Sequence, residues 1–170
     1  MLMARGDDEF ADFVAASSVR LTHAAYLLTG DRHQAEDAAQ TAFTRTYAAW
    51  SRVRHKDAYG YARTVLMNHV IDGWRRPIRE YAAEVLPERA ARYDVDNVVT
   101  QREWLTTVLK TLTARERAVV VLRHFFDLSE ADVAAELGVS LGTVKSTNSR
   151  ALAKLRIEAD PADRTLIGGG

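Results

Sequence analysis

"SEADVAAELGVSLGTVKSTNSRALAKLR", Ser129 to Arg156, has the spacing of two helices that meet at a sharp angle. Val133 and Leu137 face inward from a short first helix, Gly138 permits a left-handed turn, Val139 plugs the angle and Ser140 caps the second helix. That order is helix-turn-helix grammar. Along the second helix Leu141, Val144, Ala151, Leu152 and Leu155 share one side, while Thr143, Ser146, Ser149 and Arg150 point away with Lys145 beside them. The segment carries Lys145, Arg150, Lys154 and Arg156, and no acid lies between Ser140 and Arg156 to pair with them. An ordinary solvated bundle helix would offer partners four residues away. Short hydroxyls next to cations instead suit a helix lying in the major groove of DNA, where serine and threonine reach base edges or phosphates and arginine can grip a guanine.

Outward from this stretch, apolar residues recur at intervals of three and four, and no clean period-two alternation bounded by turns is found. The expected fold is all-α. A first helix is predicted from about Asp8 to Leu28, with Phe10, Phe13, Val14, Leu21 and Leu28 inward and Gly30 as its stop. Asp31, with Gln34 three residues on, opens a second helix running to Trp50 over a seam of Ala35, Ala38, Ala42, Phe43, Tyr47 and Trp50. The basic run "SRVRHK" (51–56) comes next as a loop, and Asp57 caps a third helix that Pro77 ends.

From Pro77 to about Asn97 the periodicity breaks, a second proline (Pro87) occurs, and the charge turns negative. A flexible linker, with one short helical turn around 80–92, is expected there. Further helices are predicted at about 98–111, after the capping box Thr113 to Glu116, after Ser129 to Asp132, and from Ser140. The pattern divides the chain into two small helical domains, 7–77 and 98–157, around a linker at 78–97, with a tail at 158–170.

Composition narrows the classes of function. The chain of 170 residues carries 23 basic and 23 acidic side chains, so local surpluses of charge matter more than the neutral total. One such surplus is Arg45, Arg52, Arg54 and Lys56, with no acid between 38 and 56. No cysteine is present, which excludes disulfides, thiol catalysis and cysteine-bound zinc, and the five histidines have no metal-ligand spacing. No metal and no cofactor is expected. No apolar run approaches the about 18 residues that span a bilayer, and no secretory signal is read at the N-terminus, so we expect a cytoplasmic protein without membrane insertion. Adjacent carboxylates such as Glu36 and Asp37 diverge by about 100° on a helix and cannot share a substrate. With no nucleophile–base set and no phosphate-cradling glycine loop, no catalytic residue is assigned and an enzyme is not expected.

A second surface lies on "DAYGYARTVLMNHVIDGWRR", 57–76. Ala62, Leu66, Met67, Val70 and Trp74 form its core side; Tyr61, Thr64, Asn68, Asp72 and Arg75 form the opposite stripe. An aromatic, an amide and a cation along one stripe can stack on and hydrogen-bond to unpaired bases, and the basic loop of Arg52, Arg54 and Lys56 sits beside it. A solvated helix face accounts for the stripe equally well when it is taken alone.

Taken together, "AYLLTGDRHQAEDAAQTAFTRTYAAW", "YARTVLMNHVIDGWRR" and "LTARERAVVVLRHFFDLSEADVAAELGVSLGTVKSTNSRALAKLR" resemble the conserved regions of extracytoplasmic-function sigma factors of bacterial RNA polymerase, nearest to the actinobacterial, streptomycete type. The resemblance implies two helical domains, sigma-2 and sigma-4, on a flexible linker. It implies that Glu36, Asp37 and Gln40 bind core polymerase, and that the loop 51–56 and Asn68 hold an unpaired base of the minus-ten element. With the stripe, the minus-ten residues become Arg52, Arg54, Lys56, Tyr61, Asn68, Asp72 and Arg75. For the minus-thirty-five element the resemblance carries Lys145, Ser146, Ser149 and Arg150, which Ser140 and Thr143 extend along the same helix face. Core polymerase and promoter DNA are the implied partners, an anti-sigma protein is a frequent one in such families, and a monomer is expected when free. Family members commonly carry arginine after "VKS", where this chain has Thr147. The resemblance therefore implies that this chain lacks one DNA-contacting side chain of other members and recognises a different sequence.

A rival reading is a two-domain regulator whose N-terminal helices sense a ligand and whose helix-turn-helix binds an operator unaided, as a dimer on a palindrome. It leaves the basic loop beside Asn68 without a purpose. Binding of duplex DNA without polymerase separates the two.

Overall fold

The computed structural model describes residues 2–75 and 101–158, and among them there are helices and turns but no strand. The expected linker, its helical turn at 80–92, Pro77 as a helix end, and the tail lie outside the described residues. The first unit is α1 (Leu2–Thr29), α2 (Arg32–Ala48), the single turn α3 (Trp50–Val53) and α4 (Ala58–Arg75). The second is α5 (Gln101–Leu109), α6 (Ala114–Val120) continued by a π-helical turn (Val121–Phe125), α7 (Glu130–Leu137) and α8 (Leu141–Glu158).

Local chemistry explains where these helices begin. The Asp31 carboxylate accepts from the Gln34 N–H at 2.9 Å, and that of Asp57 from the Gly60 N–H at 2.8 Å. The Thr113 hydroxyl and the Glu116 carboxylate close a reciprocal capping box, while Ser129 and Ser140 accept from the Asp132 and Thr143 N–H groups. Each cap satisfies a backbone donor that the first helical turn leaves open. Gly30 and Gly138 end α1 and α7 at φ of +67° and +66°, a conformation that costs any side chain with a Cβ.

The first unit packs on small residues. Ala35, Ala38, Ala39 and Ala42 bring α2 close to Leu21, Ala24, Ala25 and Leu28 of α1 and to Leu66 and Met67 of α4. Burying each leucine or methionine contributes about 1.5–3 kcal/mol. At the far end of the unit Phe10 and Phe13 pack on Trp50, with ring centroids 5.2 and 5.4 Å away. Two expectations fail here. Trp50 does not end α2 but starts a helical turn of its own, so the basic run is only partly a loop. Tyr47, expected in the seam, is exposed, because the aromatic cluster covers one ring face only and its hydroxyl reaches Asp7 at 2.8 Å.

In the second unit Val119, Leu122, Val133, Val144 and Ala151 form the centre. The wider π turn is not legible in the unbroken apolar run "AVVVLRHFF" (118–126), whose residues give no period to read. Its Val121 carbonyl accepts from the Phe126 N–H at 3.0 Å, and the extra residue sets Phe125 and Phe126 edge to face, 5.2 Å apart. Leu141, expected inside, is exposed, and Thr147 takes an inward position in its place, completely buried.

The two units pack against each other over α1, α4 and the π turn, and the apolar core is continuous between them. Arg117 of α6 donates to the Leu28 carbonyl of α1 at 2.8 Å, and also to the carbonyls of Leu109 and Leu112. Arg20 of α1 donates to the Phe125 carbonyl, with its guanidinium 4.8 Å from that residue's ring centre.

Candidate nucleic-acid interface

On α8, Ser140, Lys145, Ser146, Ser149 and Arg150 are exposed and Thr143 is half-buried. Val144, Thr147, Ala151 and Leu155 are buried behind them, which turns the hydroxyl-and-cation face outward. Two of the hydroxyls are already occupied: Ser140 caps the helix and lies 2.8 Å from the Thr143 hydroxyl, and Ser146 donates to the Thr143 carbonyl at 3.2 Å. Lys145 and Ser149 have no side-chain partner among the described residues, and Arg150 reaches only the Thr147 hydroxyl, at 3.4 Å.

One of the four cations is withdrawn from this face. Lys154 binds Glu116 at 2.7 Å, a carboxylate from another helix that no i,i+4 rule could reveal. Burial pushes the Glu116 carboxyl up, but the Lys154 ammonium and the Thr113 N–H and hydroxyl more than offset this and hold it below its ordinary value. A carboxylate held low when folded contributes stability above its ordinary pKa of 4.5, and that contribution disappears as pH falls through the lower folded value. Glu116→Gln keeps the capping box and loses the charge. We expect it to cost about 1 kcal/mol at pH 7, because Lys154 is half in water, and nothing in strong acid. Urea unfolding at both pH values checks this; an equal cost at both would exclude the charge pair as the source.

The Thr147 position also needs correction. Its side chain is in the core with its hydroxyl beside Arg150, so position 147 in this chain faces inward and is not a vacated place on the outer face.

On α4 the stripe forms as spaced: Asn68, Asp72 and Arg75 are exposed, while Tyr61 and Thr64 are half-buried. The Arg52 guanidinium lies 6.0 Å from the Tyr61 ring centre, joining the basic turn to the stripe. Lys56 is exposed, but Arg54 is not free for a ligand, since it pairs with Glu9 of α1 at 3.0 Å. Thr64 donates to Glu136 of α7 at 2.7 Å. Glu36, Asp37 and Gln40 are exposed along α2, with Asp37 3.2 Å from His69 at the rim of a cleft of about 410 Å³ between α2 and α4. Spacing alone misses Glu9, Glu116 and Glu136, three acids that meet their cations only through the tertiary fold.

Among the described residues no three His, Asp or Glu side chains gather as a metal site, and no helix is long and apolar enough to cross a membrane.

Residues 13–79 match the family described as Sigma-70 region 2, and residues 102–155 match Sigma-70, region 4. Neither is a family of catalysts. The chain is 40% identical to the RNA polymerase sigma-E factor of Streptomyces avermitilis over 95% of its own length and 91% of that protein's. It is 41% identical to the sigma-E factor of Streptomyces coelicolor, over 88% and 85%. Among solved structures, the sigma factor RpoE in complex with the anti-sigma factor NepR, from Bartonella quintana, is similar in fold. It has a TM-score of 0.68 at 22% identity, over 88% of this chain and 95% of that one. A match to both regions in chain order, on the two units that carry the two outward faces, leaves one assignment: the chain belongs to the sigma-70 family of RNA polymerase sigma factors, in its extracytoplasmic-function branch of actinobacterial type.

Proposed function

We propose that this sigma factor divides promoter recognition between its two units, residues 7–77 and 98–157. The second unit lays α8 in the major groove of the minus-thirty-five element, with Lys145 and Arg150 on phosphate or base edges and Ser146 and Ser149 beside them. The first unit receives unpaired bases of the minus-ten element along α4, with Tyr61 as a stacking surface, Asn68 as the amide that reads a base edge, and Arg52, Lys56 and Arg75 as backbone contacts. Asp72 stands in the same stripe as a second polar group. Glu36, Asp37 and Gln40 dock on core polymerase.

The observation that supports this division best is the difference in chemistry between the two faces. The α8 face has hydroxyls and cations with no ring, which suits paired DNA; the α4 face has a ring and an amide, which suits bases out of the stack. Each face is small. Docking on polymerase fixes their separation and makes two weak contacts one bivalent contact. Bases leaving the duplex gain contacts on α4 that paired bases cannot make, and this offsets part of the cost of melting. The protein's work is thus binding and distortion of DNA and not a chemical step of its own. We place it in the cytoplasm, as a monomer when free, with core polymerase and promoter DNA as partners and an anti-sigma protein as a candidate inhibitor.

Run-off transcription with core polymerase tests the reading: a promoter-specific product is expected only when this protein is added. Asn68→Ala should leave duplex association unchanged and slow strand opening roughly tenfold, the worth of about one hydrogen-bonded base contact. Permanganate reactivity of the opened bases measures it, and an unchanged rate would remove Asn68 from the reading face.

A further inference from the structure

The strand-reading stripe of α4 is not equally open along its length. Asn68, Asp72 and Arg75 are exposed, but Thr64 and its neighbour Arg63 are covered by the helix-turn-helix unit. Glu136, on the first helix of that motif, is the residue that holds them. Its carboxylate accepts the Thr64 hydroxyl at 2.7 Å and lies 3.3 Å from the Arg63 guanidinium. It is 7% exposed and Arg63 is 17% exposed, so the pair lies within the contact between the units.

The surrounding contacts come from one element. The π turn presents Phe125 and leads into Phe126; Phe126 meets the Tyr59 ring at 6.2 Å and the Arg63 guanidinium at 6.0 Å, and Phe125 meets His23 of α1 at 5.2 Å. The extra backbone residue of the π turn brings two adjacent aromatic rings to the surface facing α1 and α4.

We infer that Glu136 is an autoinhibitory latch: in the free protein it holds the helix-turn-helix unit over Arg63 and Thr64 and keeps α4 from receiving a DNA strand. The inference rests on the reading of α4 as the strand-binding face. A buried ion pair is well suited to such a device. The cost of desolvating both charges offsets most of their attraction, so the pair adds little net adhesion while it permits only one arrangement of the surfaces. A partner that draws the units apart rehydrates both charges and meets only a modest barrier. The free protein therefore binds single strands with an affinity reduced by the small fraction of open molecules.

The chain has no cysteine, so labels can be placed at will. Spin labels at Ala48→Cys and Ala153→Cys, both exposed and on different units, report the separation in the full-length protein. The unmodified latch should give one short distance population. Glu136→Ala should give a broad, longer one, and the exchange Arg63→Glu with Glu136→Arg should restore the short one, which a variant that merely failed to fold would not do. Glu136→Ala, free of polymerase, should also bind a labelled random-sequence single-stranded DNA oligonucleotide about tenfold more tightly, the release expected if about nine molecules in ten are closed. Unchanged distances overturn the latch. So does an opened variant that binds single strands no better, if the original protein still gives a promoter-specific transcript with core polymerase. Absence of that transcript would instead overturn the reading of α4, and the latch with it.

Discussion

Arg117→Ala is expected to lower the free energy of unfolding by about 3–5 kcal/mol. Three nitrogens of this guanidinium donate to three carbonyls, those of Leu109 at 3.0 Å, Leu112 at 3.1 Å and Leu28 at 2.8 Å. Two of these carbonyls close the end of α5 and the turn after it; the third lies at the end of α1, where a helix leaves its last carbonyls without partners. Burial pushes the Arg117 pKa down, yet a guanidinium starts so high that it stays charged, and its ring partner Trp74 lies 5.9 Å away. Alanine would leave all three acceptors in a partly dry setting. Lysine would not repair the loss, since one ammonium cannot span three carbonyls in a fixed fork. Chemical denaturation followed by circular dichroism measures the effect. A cost below about 1 kcal/mol would mean that water replaces the guanidinium at all three carbonyls.

The second large effect concerns DNA. Removing both Lys145 and Arg150 should weaken binding of the polymerase complex to minus-thirty-five duplex by about 2–4 kcal/mol, roughly 30- to 1000-fold. The salt dependence should change as well, with a slope lower by about 2 if both cations displace counterions from phosphates. Lys154→Ala is the internal control. Because Lys154 is bound to the buried Glu116, its loss should reduce stability and leave the salt slope unchanged. Titration across salt concentrations distinguishes the outcomes. A double variant with an unaltered slope would place neither cation on the DNA, and a lower slope for Lys154→Ala would show that the Glu116 pair opens in the complex.

These contrasts show how much of the interface is legible in the residues alone. The outward position of Lys145, Ser146, Ser149 and Arg150 follows from helical period and from Val144 and Ala151 facing in, as does the exposed stripe of Asn68, Asp72 and Arg75. Charge availability does not. Four cations without an acid in the same helix imply four open cations, yet Lys154 meets Glu116, and Arg54 of the basic run meets Glu9. The side-chain environments of Tyr47, Leu141 and Thr147 are equally hidden, each departing from the face its spacing implies. At the end of a helix or the edge of a small bundle, the neighbouring element covers less than a full stripe, and which residue it covers depends on the angle at which it crosses.

Sequence alone determined the helical class, the helix starts at Asp31, Asp57, Thr113, Ser129 and Ser140, the stops at Gly30 and Gly138, and the order of the two units. All of these rest on groups within four residues of one another, where backbone geometry leaves few choices. Only the tertiary structure decided the π turn, the packing of one unit on the other, and the ion pairs of Glu9, Glu116 and Glu136 with cations 38 to 73 residues distant. Those contacts depend on how whole helices settle on a shared core, and no spacing along the chain records that arrangement.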